Sequence, residues 1–264
     1  MGRAVVVIPL YREKLEWYEE ISLRQAMKLF SQEDCIFILL EGASYDYIPT
    51  GDNFHSLYFN KSFFTGVDAY SRLLLSPDFY RYFMAYEYML IYQLDAFAFD
   101  NRLAEFCNLG YDYYGAPWPR ECGENYIEDN VVWHNVGNGG FSLRRVQACY
   151  DLVRRYQAQM NHLNLPEDVM ISYYGHFSEN DFKIAPVSVA YSFAGELNPV
   201  RAWHKNGQQL PFCCHGWHHY SKDFYLSAFG LIGIALAAHE TAMDNLDLIN
   251  QQVCYREWLV RIGA

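Results

Sequence analysis

Residues 4–40 read AVVVIPLYREKLEWYEEISLRQAMKLFSQEDCIFILL, and this stretch decides the fold class. Ala4–Leu10 is a continuous, β-branched apolar run, which is typical of a strand buried on both faces of a parallel sheet. From Glu13 to Phe30 apolar side chains recur at helical spacing, and Cys35–Leu40 is a second short apolar run. A strand, a helix and a strand in one sheet imply parallel pairing with a right-handed crossover. The sequence therefore predicts an α/β fold.

The composition excludes several classes of protein. The 264 residues include 31 acidic and 20 basic side chains, a formal charge of −11, and 52% are hydrophobic. So apolar a chain is neither disordered nor collagen-like. The acidic excess argues against sequence-independent nucleic-acid binding, which needs a basic surface, so no nucleic-acid partner is expected. The length favours one main domain, residues 1–222, with residues 223–264 as a helical extension packed on it.

Cysteine usage and apolar runs bear on the compartment. The seven cysteines are scattered and form no CxxC pair, which is typical of reduced thiols in the cytoplasm. The run after Met1 is interpreted as a strand and not as a signal peptide. The longest apolar stretch, residues 228–238, is shorter than the roughly 18 residues of a membrane-spanning helix. We expect a cytoplasmic protein, with peripheral contact at the inner membrane face as the alternative.

The spacing of apolar residues and the positions of helix-breaking residues predict the remaining helices and strands. The predictions are helices over 66–75, 79–83 and 101–109, a strand over 86–92, strand plus turn over 111–118, a surface loop over 119–130, a helix capped by Ser142 and ending near Met160, a helix led by Pro166, and a helical segment over 223–258.

The first chemical signal lies where the strand 86–92 ends. It continues into Gln93-Leu94-Asp95, and open α/β sheets bind ligands at the carboxyl ends of their strands. An aspartate there can bind a divalent ion that bridges two phosphates, because Mg²⁺ and Mn²⁺ prefer carboxylate and phosphate oxygens. The alternative is that Asp95 merely caps a turn, as capping already explains Asp100.

Glycines and a pair of acids supply two more candidates. Gly139 and Gly140, beside Asn138, would let the backbone approach a ligand closely, although a tight turn explains them equally well. The segment fits neither a dinucleotide-binding nor a P-loop motif. Glu167 and Asp168 stand in the first turn of a helix, where the dipole alone favours acids. If that turn faces a cleft, one of them could deprotonate an acceptor hydroxyl.

Residues 213–219 read CCHGWHH and invite a zinc interpretation. Adjacent cysteines rarely bind one tetrahedral ion, so the spacing disfavours zinc. A single histidine, His215, completing a Mn²⁺ shell is the preferred interpretation, with the two cysteines packing as small apolar groups.

Taken in order, six segments resemble a known family. They are FNKSFFTGVDAYSRLLLSPDFYRYF at 59–83, YEYMLIYQLDAFAF at 86–99, GYDYYGAPW at 110–118, VGNGGFSLRR at 136–145, PEDV at 166–169 and HGWH at 215–218. The chain resembles a glycosyltransferase-like domain-of-unknown-function family with QxD, DYxGAPW, GNGGFSLR and Glu-Asp motifs, which is itself similar to GT-A nucleotide-sugar transferases. The resemblance implies a single Rossmann-like domain with a mixed, mostly parallel central sheet flanked by helices, and a C-terminal helical brace.

The resemblance also implies an activity and its partners. It points to transfer of a sugar from a nucleotide-sugar, a UDP-sugar foremost, to a hydroxyl of a glycan or lipid-linked acceptor, with inversion, in surface polysaccharide or glycoconjugate assembly. The implied cofactor is Mn²⁺ or Mg²⁺, bound by Asp95 and His215. Asp95 stands at the metal-binding Asp-x-Asp motif of such enzymes, where Gln93 replaces the first carboxylate.

Other roles follow from the same resemblance. Pro9 and Tyr11 would contact the nucleotide base. Asn138, Gly139 and Gly140 match the loop that contacts the transferred sugar or the acceptor. Glu167 and Asp168 match the pair that supplies the catalytic base. Asp112 and Trp118 are predicted as pocket walls or as packing residues.

Two other functions stay open at this point. A glycan-binding module would use the many aromatic residues and bind no nucleotide. A metal-dependent nucleotide-sugar hydrolase would use Asp95 and His215 without an acceptor. The sequence leaves open the oligomeric state and the choice between inversion and retention.

Overall fold

The computed structural model describes residues 2–118, 136–176, 182–196 and 199–218, together with Tyr225 and Ala228. The predicted loop over 119–130 lies outside the described residues, as does the predicted extension over 223–264 apart from those two positions. In the described part of the chain, no helix has both the length and the apolar character needed to cross a membrane. The five cysteines found there are free and buried.

In the described residues, nine strands form two sheets. The strands are β1 (Gly2–Pro9), β2 (Asp34–Leu40), β3 (Phe54–Phe59), β4 (Tyr86–Tyr92), β5 (Phe97–Ala98), β6 (Tyr113–Tyr114), β7 (Phe141–Arg145), β8 (Ala194–Gly195) and β9 (Cys213–Cys214). The main sheet has the order β3-β2-β1-β4-β7-β6, and the small sheet has the order β5-β9-β8. Strands β1 to β4 pair in parallel, whereas β7 runs antiparallel to both β4 and β6. The predicted mixed, mostly parallel α/β fold is confirmed.

Helices cover both faces of the main sheet. They are α1 (Trp17–Leu29), α2 (Val67–Leu74), α3 (Pro77–Arg81), α4 (Leu103–Leu109), α5 (Val146–Leu163), α6 (Glu167–His176), α7 (Val187–Phe193) and α8 (Pro199–Lys205). Alternation along β1 divides the core in two, because successive strand residues point to opposite faces. Val6 and Ile8 pack with α1 and α4, and Val5 and Val7 pack with α2, α3 and α5. β1 is thereby buried on both sides, as its apolar run predicts.

Two local predictions need correction. The sequence prediction contains no strand between the turn-rich residues 45–53 and α2, whereas β3 lies there at the sheet edge. Edge strands are covered on one side only, and β3 is accordingly half-exposed and lacks an apolar run. Ser142 does not cap a helix: it lies inside β7, opposite Ile91, and the helix starts at Val146. Pairing with β4 overrides the local capping pattern.

Candidate functional site

A cavity of about 720 Å³ opens beyond the carboxyl ends of β1 and β4, within the size range of small-ligand sites. Most of the residues predicted from sequence line its wall: Tyr11, Gln93, Asp95, Trp118, Asn138, Gly139, Gly140, Glu167, Asp168 and His215. Pro9 and Asp112 are not among the lining residues. Pro9 is buried inside β1, paired with Ile38, and Asp112 accepts a hydrogen bond from the backbone N–H of Lys183.

The small sheet builds one wall of the cavity, which we call the histidine wall: Asp95, Glu196 and His215. Its central strand, β9, ends just before His215, and β5 and β8 flank it. The backbone N–H of Gly216 donates to the carbonyl of Asp95, 3.0 Å away, which holds the segment after β9 beside the end of β4. Strand pairing thus joins three distant parts of the chain.

His215 lies between the two carboxylates of this wall. Its Nδ1 is 3.1 Å from Glu196 Oε1, and its Nε2 is 3.1 Å from Asp95 Oδ1. The second contact lacks hydrogen-bonding geometry, so among the described residues Nε2 is a buried atom without a hydrogen-bond partner. Burial lowers the pKa of His215, but Asp95 and Glu196 outweigh it and raise the pKa well above its usual value. For Asp95, burial raises the pKa, but the neighbouring His215 lowers it by more, so the net shift of the pKa is downward.

The second wall, which we call the arginine wall, is formed by Glu167 and Asp168 together with Arg144, which is buried beside Glu167 and does not itself line the cavity. Arg144 on β7 is fully buried, and its Nη2 donates to Glu167 Oε1 at 3.0 Å. The hydroxyl of Ser71 donates to Glu167 Oε2 at 3.2 Å, and Arg144 also donates to the hydroxyls of Ser142 and Tyr80. Glu167 is thereby held in a closed network inside the protein.

Asp168 is placed differently from its neighbour. Its Oδ2 accepts from the backbone N–H of Gly139 at 3.0 Å, and its Oδ1 accepts from the N–H of Val169 at 2.8 Å. Burial, followed by the charge of Glu167, raises the pKa of Asp168 to about 7. A carboxylate with a pKa near neutrality that lines a cavity is suited to general base catalysis.

The GNGG segment is packed against both walls. A Cβ on Gly139 would lie 2.1 Å from Glu167 Oε1, and a Cβ on Gly140 would lie 1.9 Å from His215 Nε2. Asn138 has a φ of 21°, and its side chain accepts from the N–H of Gly140. The close approach of Glu167 and His215 therefore leaves room only for glycine at these two positions.

Aromatic residues line the rest of the cavity. The ring of Tyr11 lies edge-on to that of Tyr70, with ring centroids 5.5 Å apart, and Phe64 packs on its other side. Trp118 lines the cavity beside Gly137, where a Cβ would meet its indole at 1.8 Å. These rings offer flat surfaces against which a nucleobase or a sugar can stack.

The donor set of the histidine wall fits a divalent cation. Four carboxylates line the cavity, those of Asp95, Glu167, Asp168 and Glu196. Among the described residues, Arg12 is the one arginine or lysine that lines it, and Arg12 already pairs with Glu16. A diphosphate needs added positive charge there. Adjacent ligands of an octahedral cation with bonds of about 2.1 Å lie about 3 Å apart. Asp95 Oδ1 and the unpartnered His215 Nε2 match that spacing.

Few protein ligands are available for this cation. The described residues contain no group of three or more histidine, cysteine or acidic side chains able to hold a metal ion. As far as the described residues go, a cation at Asp95 and His215 would have positions open to phosphate and water, as is usual for Mg²⁺. Cys213 and Cys214 are fully buried in β9.

Sequence reasoning missed Glu196, Arg144 and Tyr70. Arg144 was visible inside the GNGGFSLRR motif, but an arginine next to another arginine suggests a surface, whereas here it is buried. Glu196 stands in no motif. The signal that identifies it is the pairing of two-residue strands, which a single sequence does not reveal.

Comparisons with known proteins agree with this fold. A family model described as "Protein of unknown function (DUF5672)" matches residues 53–215. No curated protein sequence matches the chain. The galactosyltransferase LgtC, in complex with donor and acceptor sugar analogues, aligns at 13% identity with a TM-score of 0.55, covering 91% of this chain and 98% of that chain.

Two further structures align. An active-site mutant of LgtC does so at 15% identity with a TM-score of 0.51, covering 80% of this chain and 86% of that one. A glycosyltransferase involved in glycosylation of the major capsid of PBCV-1 aligns at 11% identity over 81% of this chain and 93% of that one, and its TM-score of 0.48 carries no argument. At these identities the likeness to LgtC shows a shared fold.

Proposed function

We propose that this chain, which belongs to the family described as protein of unknown function DUF5672, is a glycosyltransferase that moves a sugar from a UDP-sugar to a hydroxyl of a glycan or lipid-linked acceptor. The observation that carries the proposal is that Asp95 and His215, 3.1 Å apart, and Asp168, a carboxyl group whose pKa is raised to about 7, line one cavity at the carboxyl ends of β1 and β4. The fold shared with LgtC, a galactosyltransferase, supports it.

The residues divide the work between donor and acceptor. Tyr11 and the aromatic residues beside it stack on the nucleotide base at the end of β1. Asp95 and His215, with Gln93 beside them, would hold Mn²⁺ or Mg²⁺, which when bound would supply positive charge to offset that of the diphosphate. Asn138, Gly139 and Gly140 offer the sugar polar groups at the cavity wall, beside Glu167 and His215, which pack against the two glycines.

Asp168 is the catalytic base in this proposal. Its carboxylate takes the proton of the acceptor hydroxyl while that oxygen forms a bond to the anomeric carbon. The bond between the anomeric carbon and the diphosphate breaks, and its electron pair leaves with the nucleoside diphosphate. Attack from the face opposite the leaving group inverts the anomeric configuration. Glu167 is committed to Arg144 and acts by keeping the pKa of Asp168 high.

Calorimetry with UDP, GDP, CMP and dTDP, each with and without Mn²⁺, tests the donor class. We expect Mn²⁺-dependent binding of UDP to the wild type and its loss in Asp95→Asn. Asp100→Asn is a matched control, because Asp100 also follows a strand but is exposed and lies outside the cavity. It should bind as the wild type does.

Three outcomes would contradict the proposal. Binding of glycan without any nucleoside diphosphate would instead favour a glycan-binding module. Release of free sugar from UDP-sugars at the same rate with and without acceptor would favour a hydrolase. Tight binding of UDP that ignores both Mn²⁺ and Asp95→Asn would remove the cation from the proposal.

A further inference from the structure

We infer that Glu196 is a positioning residue that holds His215 so that Nε2, together with Asp95, faces a divalent cation. The inference rests on the proposed function, because it concerns the cation that the donor would carry. No sequence motif points to Glu196.

The strand register brings the two side chains together. β8 pairs with β9 in parallel, with Gly195 opposite Cys214, so the next residues of the two strands, Glu196 and His215, are also neighbours. The N–H of His215 donates to the carbonyl of Gly195 at 2.9 Å, which continues the pairing to this point. Backbone hydrogen bonds therefore fix the position of Glu196 relative to the imidazole.

The hydrogen bond to Glu196 determines which ring nitrogen is free. An imidazole that donates its Nδ1–H to a carboxylate keeps a lone pair on Nε2 when it binds a metal, and such partners orient most metal-binding histidines. Here Glu196 Oε1 lies 3.1 Å from Nδ1, and Asp95 Oδ1 lies 3.1 Å from Nε2. The two carboxylates thus occupy opposite edges of the ring, and only Asp95 shares the cation.

Structural stability alone does not explain Glu196. It is 7% exposed, and its Oε2 has no hydrogen-bond partner among the described residues. Glu167, at 5% exposure, has both oxygens hydrogen-bonded and an arginine beside it. A buried carboxylate with one oxygen lacking a hydrogen-bond partner lowers the free energy of unfolding. Orienting His215 toward a cation is a reason to keep the residue despite that cost.

The test measures Mn²⁺ binding directly, by electron paramagnetic resonance of free Mn²⁺ during titration in the presence of UDP. In Glu196→Ala and in Glu196→Met, which fills the same space without an acceptor oxygen, we expect the Kd for Mn²⁺ to rise about 10- to 100-fold. In Glu196→Gln the amide oxygen still accepts from Nδ1–H, so most of the affinity should return.

Asp112→Ala is the matched control for removal of a buried carboxylate. Asp112 is 6% exposed, accepts a backbone hydrogen bond and lies outside the cavity, so its removal should leave the Kd for Mn²⁺ unchanged. Folding of every variant is checked by thermal unfolding. Glu196→Met keeps the test decisive if Glu196→Ala does not fold.

The outcomes separate this inference from the proposed function. Wild-type affinity for Mn²⁺ in folded Glu196→Ala or Glu196→Met overturns the role of Glu196 and leaves the transferase proposal intact. Equal weakening in Glu196→Gln and Glu196→Ala also overturns it, because the hydrogen bond would then not be the cause. Failure of the wild type to bind Mn²⁺ with UDP removes both.

Discussion

The two walls of the cavity carry the same charges, two acids and one base, and use them in opposite ways. In the arginine wall, Arg144 is always charged and fully buried, and it forms an ion pair with Glu167. Asp168 is therefore the acid of this wall that Arg144 does not neutralise. In the histidine wall, His215 contacts both acids, and its Nε2 has no hydrogen-bond partner among the described residues. The first wall is complete within the protein, whereas the second has a place for a ligand.

This difference separates residues that hold the fold from residues that act. Breaking a closed buried ion pair should cost stability, because it leaves an uncompensated charge. Changing the open wall should cost ligand binding. Asp168 belongs to the arginine wall but faces the cavity, so its loss should cost turnover.

The largest effect is expected for Asp168→Asn. Without the base, kcat should fall by about 10²- to 10⁴-fold. The Kd for the nucleotide should change little, because Asn has the size of Asp and its amide oxygen still accepts one of the two backbone hydrogen bonds. The measurement is sugar transfer from the donor that calorimetry identifies. Asp78→Asn, at a side chain 76% exposed on α3, serves as the control. Near-wild-type turnover in Asp168→Asn would remove Asp168 from its role.

Arg144→Met should lower the free energy of unfolding by about 3–5 kcal/mol, because Glu167 would stay buried without its partner. Urea denaturation measures this change. The double variant Arg144→Met with Glu167→Met should recover most of the loss. Arg154→Met, at a side chain 64% exposed, should change stability by less than about 0.5 kcal/mol. Equal losses in both arginine variants would contradict the buried network.

The pH dependence should have opposite signs for activity and stability. With the pKa of Asp168 raised to about 7, kcat/KM should fall about tenfold per pH unit below 7, because the base becomes protonated. The unfolded carboxyl has a pKa of about 3.9, so between about 4 and 7 only the folded protein holds this proton. The resulting stability is full below about pH 4 and is lost as pH rises through 7.

Asp168→Asn provides the check on both pH curves. In the variant, the free energy of unfolding should no longer contain the contribution of Asp168 that decreases between pH 4 and 8. The residual activity of the variant should likewise no longer fall as the pH drops below 7. A wild-type acid limb that persists in the variant would assign the titration to another group.

The smallest effects come from the two glycines, which contact one wall each. A Cβ at Gly139 would displace Glu167, and one at Gly140 would displace His215. Each alanine should cost about 1–3 kcal/mol by overpacking. For Gly139→Ala we expect the greater loss in unfolding free energy, and for Gly140→Ala the greater loss in Mn²⁺ and UDP affinity. Identical profiles for the two variants would show that the walls are not independent.

The sequence predicts the parts of the fold that local patterns determine. β1 and β4 are continuous apolar runs, so they are found at nearly their observed bounds, and Asp95 follows from its place after β4. β3 was missed because an edge strand needs no such run. The sequence predicts a cap and a helix where β7 lies, because β7 is buried on both faces and includes Ser142 and Arg144, which hides the alternation of a strand.

The candidate site is predictable as a set of residues but not as an arrangement. The motifs supply Asp95, Asn138, Asp168 and His215, and the structure brings these four to one cavity. Both acids of the Glu167-Asp168 pair line the cavity, and which of them is paired with an arginine depends on Arg144, a contact between β7 and α6. The place of Glu196 depends on strand register, so neither distinction is visible in one sequence.

The small sheet also bears on how the protein folds. Its strands are two residues each, and β5 pairs with β9 across a separation of 117 residues, so this pairing needs a long loop to close, which is slow and entropically costly. A ligand that binds only the native state stabilises it by mass action. We therefore expect the nucleotide and its cation to stabilise the last-formed corner of the molecule, so that amide hydrogen exchange in β5, β8 and β9 slows on binding more than exchange in β1 or β4.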